Sequence, residues 1–350
     1  EDDWARWRGP AGDGHALGPA PPLTWSETEH VIWQAAVPGE GHASPIVVGK
    51  QVFVATADNT DQRQLLVAYD RDTGEPAWEV ELHQGGFMHA HTKNTHASAT
   101  PASDGQRVYC AYLAEGGLWV SAVDHDGKIV WQTEAGPFRS VHGYGSSPVL
   151  FEHLVIVAGD SPGGGFLAGL HRDSGEVVWR QRRSSSASFG TPLLARQDDR
   201  WQLLHNGHKS LTSYDPASGE VLWTAEGPAK TTANTPVHLP GLVVISGGYP
   251  QRGVMGVRAD GSGEVLWRQR FKAYVPSPLV VGDRVLVVQD SGILRFYESE
   301  SGEELWSQRL AGDFSASPTL AGDHIFLPNE QGTVYVLQAN DEGCRIVAEN

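Results

Sequence analysis

The sequence predicts an all-β protein, a propeller of four-stranded antiparallel blades. Three observations predict it. Marks recur at a fixed period along most of the chain, the runs between them are short and β-branched, and a tryptophan falls at one place in nearly every copy. Four-stranded meanders repeating every ~40–50 residues are the signature of propeller blades. A helical solenoid would need apolar residues at helical spacing, and these runs are too short for that.

The first mark is a Ser/Thr-Pro pair: Ser44-Pro45, Thr100-Pro101, Ser147-Pro148, Thr191-Pro192, Thr235-Pro236, Ser277-Pro278 and Ser317-Pro318. A proline can open a strand where its missing N–H does no harm, and the hydroxyl before it can satisfy backbone at the strand entry. The second mark is a turn glycine, 24 to 29 residues on: Gly74, Gly127, Gly175, Gly219, Gly263, Gly302 and Gly343. The third stands four residues after that glycine: Trp78, Trp131, Trp179, Trp223, Trp267 and Trp306, with Val347 in the seventh copy. An indole there suits packing between neighbouring blades.

Within one copy the strands can be read in order. Pro45 to Val48 is the first, Val52 to Ala55 the second, Leu65 to Tyr69 the third and Pro76 to Val80 the fourth. Turn-forming Gly, Asp and Pro bound them. Residues 1–30 read as an N-terminal extension, and blades run from 44 to 348 in a single domain. Trp33 is a further tryptophan of the same kind, with no strand set before it. Residues 31–36 are therefore expected to be an outer strand that closes the ring near the C-terminal blades and hides exposed edges. Seven inner-strand sets and eight outer strands leave two arrangements: eight-bladed geometry with a short C-terminus, or seven blades.

Composition narrows the function. A formal net charge of −16 disfavours a nucleic-acid partner, whose phosphates would be repelled. Nothing approaches an apolar run of roughly 18 residues, so no membrane-spanning helix is expected. Cys110 and Cys344 are not adjacent and form no C-x-x-C pair; they read as small core residues. An acidic start without Met reads as a mature terminus after signal-peptide removal, hence a periplasmic or secreted protein.

The strands run up and down, so tight turns gather on one face, and blade-to-blade links with second-to-third-strand loops gather on the other. Sites are built where long loops sit on a rigid scaffold. Two links are long: Trp78 to Pro101 and Trp131 to Pro148. The first holds His83, His89, His91 and His96, four of the fifteen histidines; the second holds Arg139, His142 and Tyr144. Candidate ligand-binding residues on this face are His42, Asn94, His96, His142, His205, His208 and Arg252, and Asp58, Asp160, Lys209, Asp290 and Asn329 belong to the same face. His89, His91 and His96 are candidates for a divalent metal, since His89 and His91 share one side of an extended segment. His96, His142, Tyr144, Lys93 and Arg139 are candidates for moving a proton or stabilising charge. The plainer reading is that these histidines cap loops around the channel mouth.

Several segments carry a family resemblance: Trp7-Arg8-Gly9-Pro10, Gly41-His42-Ala43-Ser44-Pro45, Lys93 to Ser98, His142 to Pro148, and Val347-Ala348-Glu349-Asn350. With the repeat marks they resemble the pyrroloquinoline-quinone-like propeller repeat proteins, especially the exported planctomycete-type subgroup. Relatives of that kind include quinoprotein alcohol dehydrogenases and the scaffold lipoprotein of outer-membrane assembly. A dehydrogenase would require calcium held by Glu, Asn and Asp, a Trp stacked on the quinone in the channel and, commonly, a disulfide between adjacent cysteines. Cys110 and Cys344 cannot supply the last, so pyrroloquinoline quinone is not expected. The expectation is an exported scaffold that takes a small molecule, a glycan or a protein on the long-loop face. A polysaccharide-active hydrolase or lyase using the histidines is the alternative, and a quinoprotein dehydrogenase comes third.

Overall fold

The computed structural model describes residues 3–350, and these contain strands but no α-helix. Seven sheets follow one another along the chain, six of four strands and a last one of four strands with a short N-terminal strand added at its inner edge, each blade with its own strands in sequence order. Blade 1 comprises Ile46–Val48, Gln51–Asp58, Arg63–Asp70 and Pro76–Gln84. Blade 2 comprises Ala102–Ser103, Arg107–Ala114, Gly117–Asp124 and Ile129–Pro137. Blade 3 comprises Val149–Phe151, Leu154–Ala158, Gly165–His171 and Val177–Arg183, and blade 4 Leu193–Gln197, Arg200–Gly207, Ser210–Tyr214 and Val221–Glu226. Blade 5 comprises Val237–Leu239, Leu242–Gly247, Gly253–Arg258 and Val265–Gln269, and blade 6 Leu279–Val281, Arg284–Val288, Ile293–Glu298 and Glu304–Arg309. Blade 7 comprises Thr319–Ala321, His324–Pro328, Val334–Asn340 and Gly343–Glu349.

The three sequence marks each have a physical role. The Ser/Thr hydroxyls link neighbouring blades around the axis. The Ser44 amide donates to the Thr100 hydroxyl at 3.0 Å, Thr100 to Ser147 at 3.0 Å and Ser147 to Thr191 at 2.9 Å. Thr235 donates to Ser277 and Ser277 to Ser317, both at 3.0 Å. The tryptophans reach forward to the next blade. The indoles of Trp78, Trp131, Trp267 and Trp306 donate to the carbonyls of His125, Arg172, Ser299 and Asn340, at 2.7–2.8 Å. Five of the seven turn glycines, Gly74, Gly127, Gly175, Gly219 and Gly302, make room for a tryptophan ring: a Cβ on Gly127 would lie 2.8 Å from Trp78, and one on Gly302 2.4 Å from Trp267. Trp131, Trp223 and Trp267 are buried, and Trp78, Trp179 and Trp306 are partly so. Truncating a buried one to Ala costs on the order of 3–5 kcal/mol. A bulge follows the residue facing each tryptophan, for example between Ala68 and Tyr69 or Phe296 and Tyr297, and re-aims the strand.

The core is divided among the junctions. Six apolar clusters fill the six junctions between consecutive blades. Cys110 lies in the cluster between blades 1 and 2, where burial pushes its thiol up to about 12; burial likewise raises Cys344 to about 11. Both thiols are free.

Between blades 7 and 1 the arrangement changes. Residues 31–36 form no strand, and Trp33 lies against blade 1 rather than the C-terminal blades. Its indole donates to Arg71 O at 2.8 Å, and its ring covers Gly74, as Trp78, Trp131, Trp179 and Trp267 cover the turn glycine of the next blade. Blade 7 is met instead by Trp25, stacked on Phe326, and by His15–Ala16, paired in parallel with Leu320–Ala321. The expected closing strand is thus corrected. Seven blades are built, and the N-terminal segment spans the junction between the last and the first. The reason is local: the third strand of blade 7 is already paired by the chain's own Gly343–Glu349, so residues 31–36 find no free edge there, and Trp33 packs on and bonds blade 1 instead.

Candidate functional site

Two groups of the expected residues assemble on the long-loop face, at different places. The first is the His-rich link after blade 1. Hydrogen bonds to its neighbours hold this link. Gly85 N donates to Gln62 O at 2.8 Å, and Glu115 N to Gly86 O at 3.0 Å. His91 N donates to His142 O at 3.2 Å, while the Asn94 amide donates to His142 O at 2.7 Å. Ser140 donates to His89 O, and Gln64 donates to His96 O at 3.2 Å. The links after blades 1 and 2 and the second-to-third-strand loops of blades 1 and 2 therefore form one floor.

On this floor lies an open pocket of about 430 Å³, lined by residues that include Asn59, Gln62, Phe87, His91, Asn94 and His96, with His89 also at its wall. Phe87 and His96 stack at 4.0 Å between ring centroids. His91 meets His142 edge-on at 5.6 Å, and His142 meets Phe189 of the following link at 6.0 Å. Burial lowers His96 from the usual histidine value, against the pull of Glu40. The lining offers amides, hydroxyls, imidazoles and one phenyl ring. Such a surface can stack on flat groups and hydrogen-bond neutral or weakly charged ones.

The second group is buried between blades 3 and 4. Arg183, at the end of the outer strand of blade 3, donates from Nε to Asp160 Oδ1 at 2.7 Å and from Nη2 to Asp160 Oδ2 at 3.1 Å. It also donates to the Tyr214 hydroxyl. His205 Nε2 donates to Asp160 Oδ2 at 3.1 Å, and His208 Nε2 stands 3.5 Å from the same oxygen. Burial alone would raise Asp160, but Arg183 and the histidine hydrogen bond outweigh it and hold the carboxyl well below its usual range. Burial, with Arg183 nearby, depresses His205 to about 4. This group ties two blades together, and no ligand can reach Asp160 at 1% exposure.

The remaining candidates divide accordingly. His42, Arg139 and Arg252 are exposed. His42 is anchored through its backbone N to Ala97 O at 3.0 Å, and Arg139 through its backbone N to the Ser161 hydroxyl at 3.2 Å. Asp290 accepts from the backbone N–H groups of Tyr274 and Val275, both at 3.2 Å, and Asn329 and Asp58 cap their own loops. Tyr144 does not face the pocket. It is buried, its hydroxyl donates to Ala158 O at 3.1 Å, and burial raises its phenol far above the usual value. Lys93 is exposed beside the pocket rather than in its wall. His89, His91 and His96 do not converge: among the described residues, no three His, Cys, Asp or Glu side chains are grouped to hold a metal ion. All three line the same pocket, but they are spread along its wall rather than grouped to share an ion. Sequence reasoning missed Arg183, Phe87 and Phe189. Arg183 could have been sought as the cation that a buried Asp160 demands; the two phenylalanines carry no local signal.

A further open pocket of about 410 Å³ lies on the tight-turn face between blades 6 and 7, lined by Asp283, Arg284 and Asp341 among others. There Arg284 is already neutralised by Asp283 and Asp341, at 2.8 and 2.9 Å.

A seven-bladed ring of Trp-marked four-stranded sheets with a loop-built pocket on one face defines the class: a repeat propeller of the quinoprotein-like kind. The chain belongs to the family whose model is described as outer membrane protein assembly factor BamB, which matches residues 23–112, 62–255 and 251–343. It is 22% identical to the outer membrane protein assembly factor BamB of Yersinia pestis over 378 residues, covering 91% of each chain. Among solved structures, BamB from Moraxella catarrhalis superposes with a TM-score of 0.60 at 19% identity, covering 83% of this chain and 80% of that one. The quinohemoprotein alcohol dehydrogenase of Comamonas testosteroni superposes with a TM-score of 0.51 at 12% identity, covering 98% of this chain and 77% of that one. These structural likenesses establish the fold, and a fold hosts many functions.

Proposed function

We propose that this protein is an exported scaffold that holds a protein partner on its long-loop face, at the pocket walled by Phe87, His91 and His96 and flanked by His142. The observation that carries the reading is the floor itself. The links after blades 1 and 2 are hydrogen-bonded to one another, so this surface made of loops is braced across two blades. Rigid, aromatic-rich surfaces with few fixed charges suit protein recognition. Membership of a family named for outer membrane protein assembly favours a protein over a small molecule or glycan, and a periplasmic setting. Catalysis on a polysaccharide has less support, because Tyr144 is buried and Lys93 and Arg139 do not join the pocket wall.

The reading is tested by placing a photo-cross-linking residue at His91, and separately at Asp283 on the tight-turn face, in cells that make the protein. A discrete protein adduct at position 91 and none at 283 is the expected result. Adducts confined to position 283 would overturn it. A panel of anionic glycans, titrated against the purified protein, checks the alternative: saturable glycan binding that His91→Ala abolishes would favour the polysaccharide reading.

A further inference from the structure

We propose that the stretch from Asp3 to Ala16, which carries the Trp7-Arg8-Gly9-Pro10 motif, is an axial plug that ties the blades together and bars the channel to a cofactor. The inner strand of each blade has one edge bonded to its neighbour and the other facing the axis. This stretch runs along those free edges. Trp4 pairs with Val47 of blade 1 through two backbone bonds, at 2.9 and 3.0 Å. Ser103 N of blade 2 donates to Ala5 O at 2.8 Å. The Trp7 indole donates to the Thr235 hydroxyl at the entry to blade 5, at 2.9 Å. Arg8 donates to Pro278 O of blade 6 at 2.7 Å, and the His15 ring bonds Val280 O of the same blade at 2.7 Å. Leu320 N of blade 7 donates to Gly14 O at 2.8 Å. A Cβ on Gly12 would lie 3.7 Å from Leu193 of blade 4.

The local sequence is built for this path. Gly9 N donates to Arg6 O and Gly12 N to Gly9 O, each at 3.0 Å, so the chain turns twice within a few residues. Gly9 has φ +80°, and a Cβ there would lie 2.6 Å from the Trp4 ring. Arg8 is only 4% exposed, and its Nη2 also bonds Asp13 O at 2.7 Å. A tail lying on the surface would not bury an arginine or contact blades more than 200 residues apart in sequence. The contacts matter most where the ring is weakest. Apolar clusters fill the other junctions, whereas blades 7 and 1 are joined through the N-terminal residues, and the plug bonds both.

The same placement decides the cofactor question that the fold raises. A quinone in the channel would need a free indole to stack on and a calcium site of Glu, Asn and Asp. Here Trp4 lies against Gly9, Trp7 is bonded to Thr235, and the buried guanidinium of Arg8 lies beside the inner strand of blade 6. The residues present do not fit the group.

Three amides report the plug directly, because their acceptors are plug carbonyls: Val47, Ser103 and Leu320. Hydrogen exchange on the full chain should show all three protected in the wild type and opening as a unit. Gly9→Ala should speed all three by tenfold or more while blade 3 amides keep their wild-type rates. Trp7→Phe, which removes only the indole N–H, should speed the same three by a smaller common factor; it serves if Gly9→Ala does not fold. Unprotected exchange at these amides in the wild type, or a response confined to Val47, overturns the plug. Titration of the wild type with pyrroloquinoline quinone and calcium should show no binding, and saturable binding overturns the closed channel.

Discussion

The two histidine groups differ in one respect that decides their roles. His91 and His142 stand exposed on a floor of loops, in a T-shaped contact with each other. His205 is 1% exposed and spends its Nε2 proton on Asp160, which Arg183 already holds through two further bonds. Both groups lie on the same face of the same scaffold; the first is built from loops, the second from strand ends and the loops beside them. The difference is whether a carboxylate and a guanidinium are buried with the rings. Once they are, the histidine becomes part of the ion pair's hydrogen bonding and is lost to ligands.

The comparison predicts its largest effect at Asp160. Removing the carboxylate in Asp160→Ala leaves Arg183 buried between two blades with its charge uncompensated. Breaking one partner of a buried pair costs about 3–5 kcal/mol. Urea unfolding should show a loss of that size. A loss below ~1 kcal/mol would mean that water reaches the cluster and that the contrast with the exposed histidines is false. Replacing Asp160 and Arg183 together by apolar residues should cost much less than the sum of the single changes, because no charge is then stranded.

A smaller effect separates the groups by pH. His205 is depressed to about 4 by burial and by Arg183, against an ordinary value of 6.5. As pH falls through 6.5 the unfolded chain takes up a proton at this residue and the folded chain does not. The contribution is therefore present in full above 6.5 and is lost as pH falls towards 4, by at most about 3 kcal/mol. Asp160 carries the loss further down, since its folded carboxyl protonates well below the usual range. His205→Gln should flatten the slope between pH 6.5 and 4 in a series of unfolding curves. An unchanged slope would show that other groups set it.

The reach of sequence reasoning follows the same division. The Ser/Thr-Pro pairs, the turn glycines and the tryptophans are read correctly because each does the same job in most blades, so repetition averages away the noise. Trp33 is matched to its packing role by the same pattern, but its strand is not, since a strand also needs a partner and no periodicity reveals one. The His-rich link is legible from its length, because 23 residues do what 11 to 13 do after blades 3 to 6. The orientation of Tyr144 is not, because only the packed blade shows that its hydroxyl meets Ala158 rather than the pocket. The pairing of Asp160 with Arg183 joins residues 23 positions apart, with neither motif nor period to connect them.

The smallest expected effect is on stability at the exposed group, and it is the most telling for function. In the double variant His91→Ala, His142→Ala the lost rings are exposed, and the bonds that fix the floor use the backbone of both residues rather than their imidazoles. The exception is His91 Nδ1, which accepts from Lys93 N at 3.1 Å in an exposed turn. Surface changes of this kind fall within ~0.5 kcal/mol. Urea unfolding should thus give the wild-type midpoint within error, in contrast to Asp160→Ala. If the floor is a recognition surface, a cross-linking residue placed at neighbouring Thr92 should lose its protein adduct in the double variant although the fold is intact. Loss of both stability and adduct would make these rings structural, like His205. Retention of both would leave the floor without a role in binding and direct attention to the tight-turn face between blades 6 and 7.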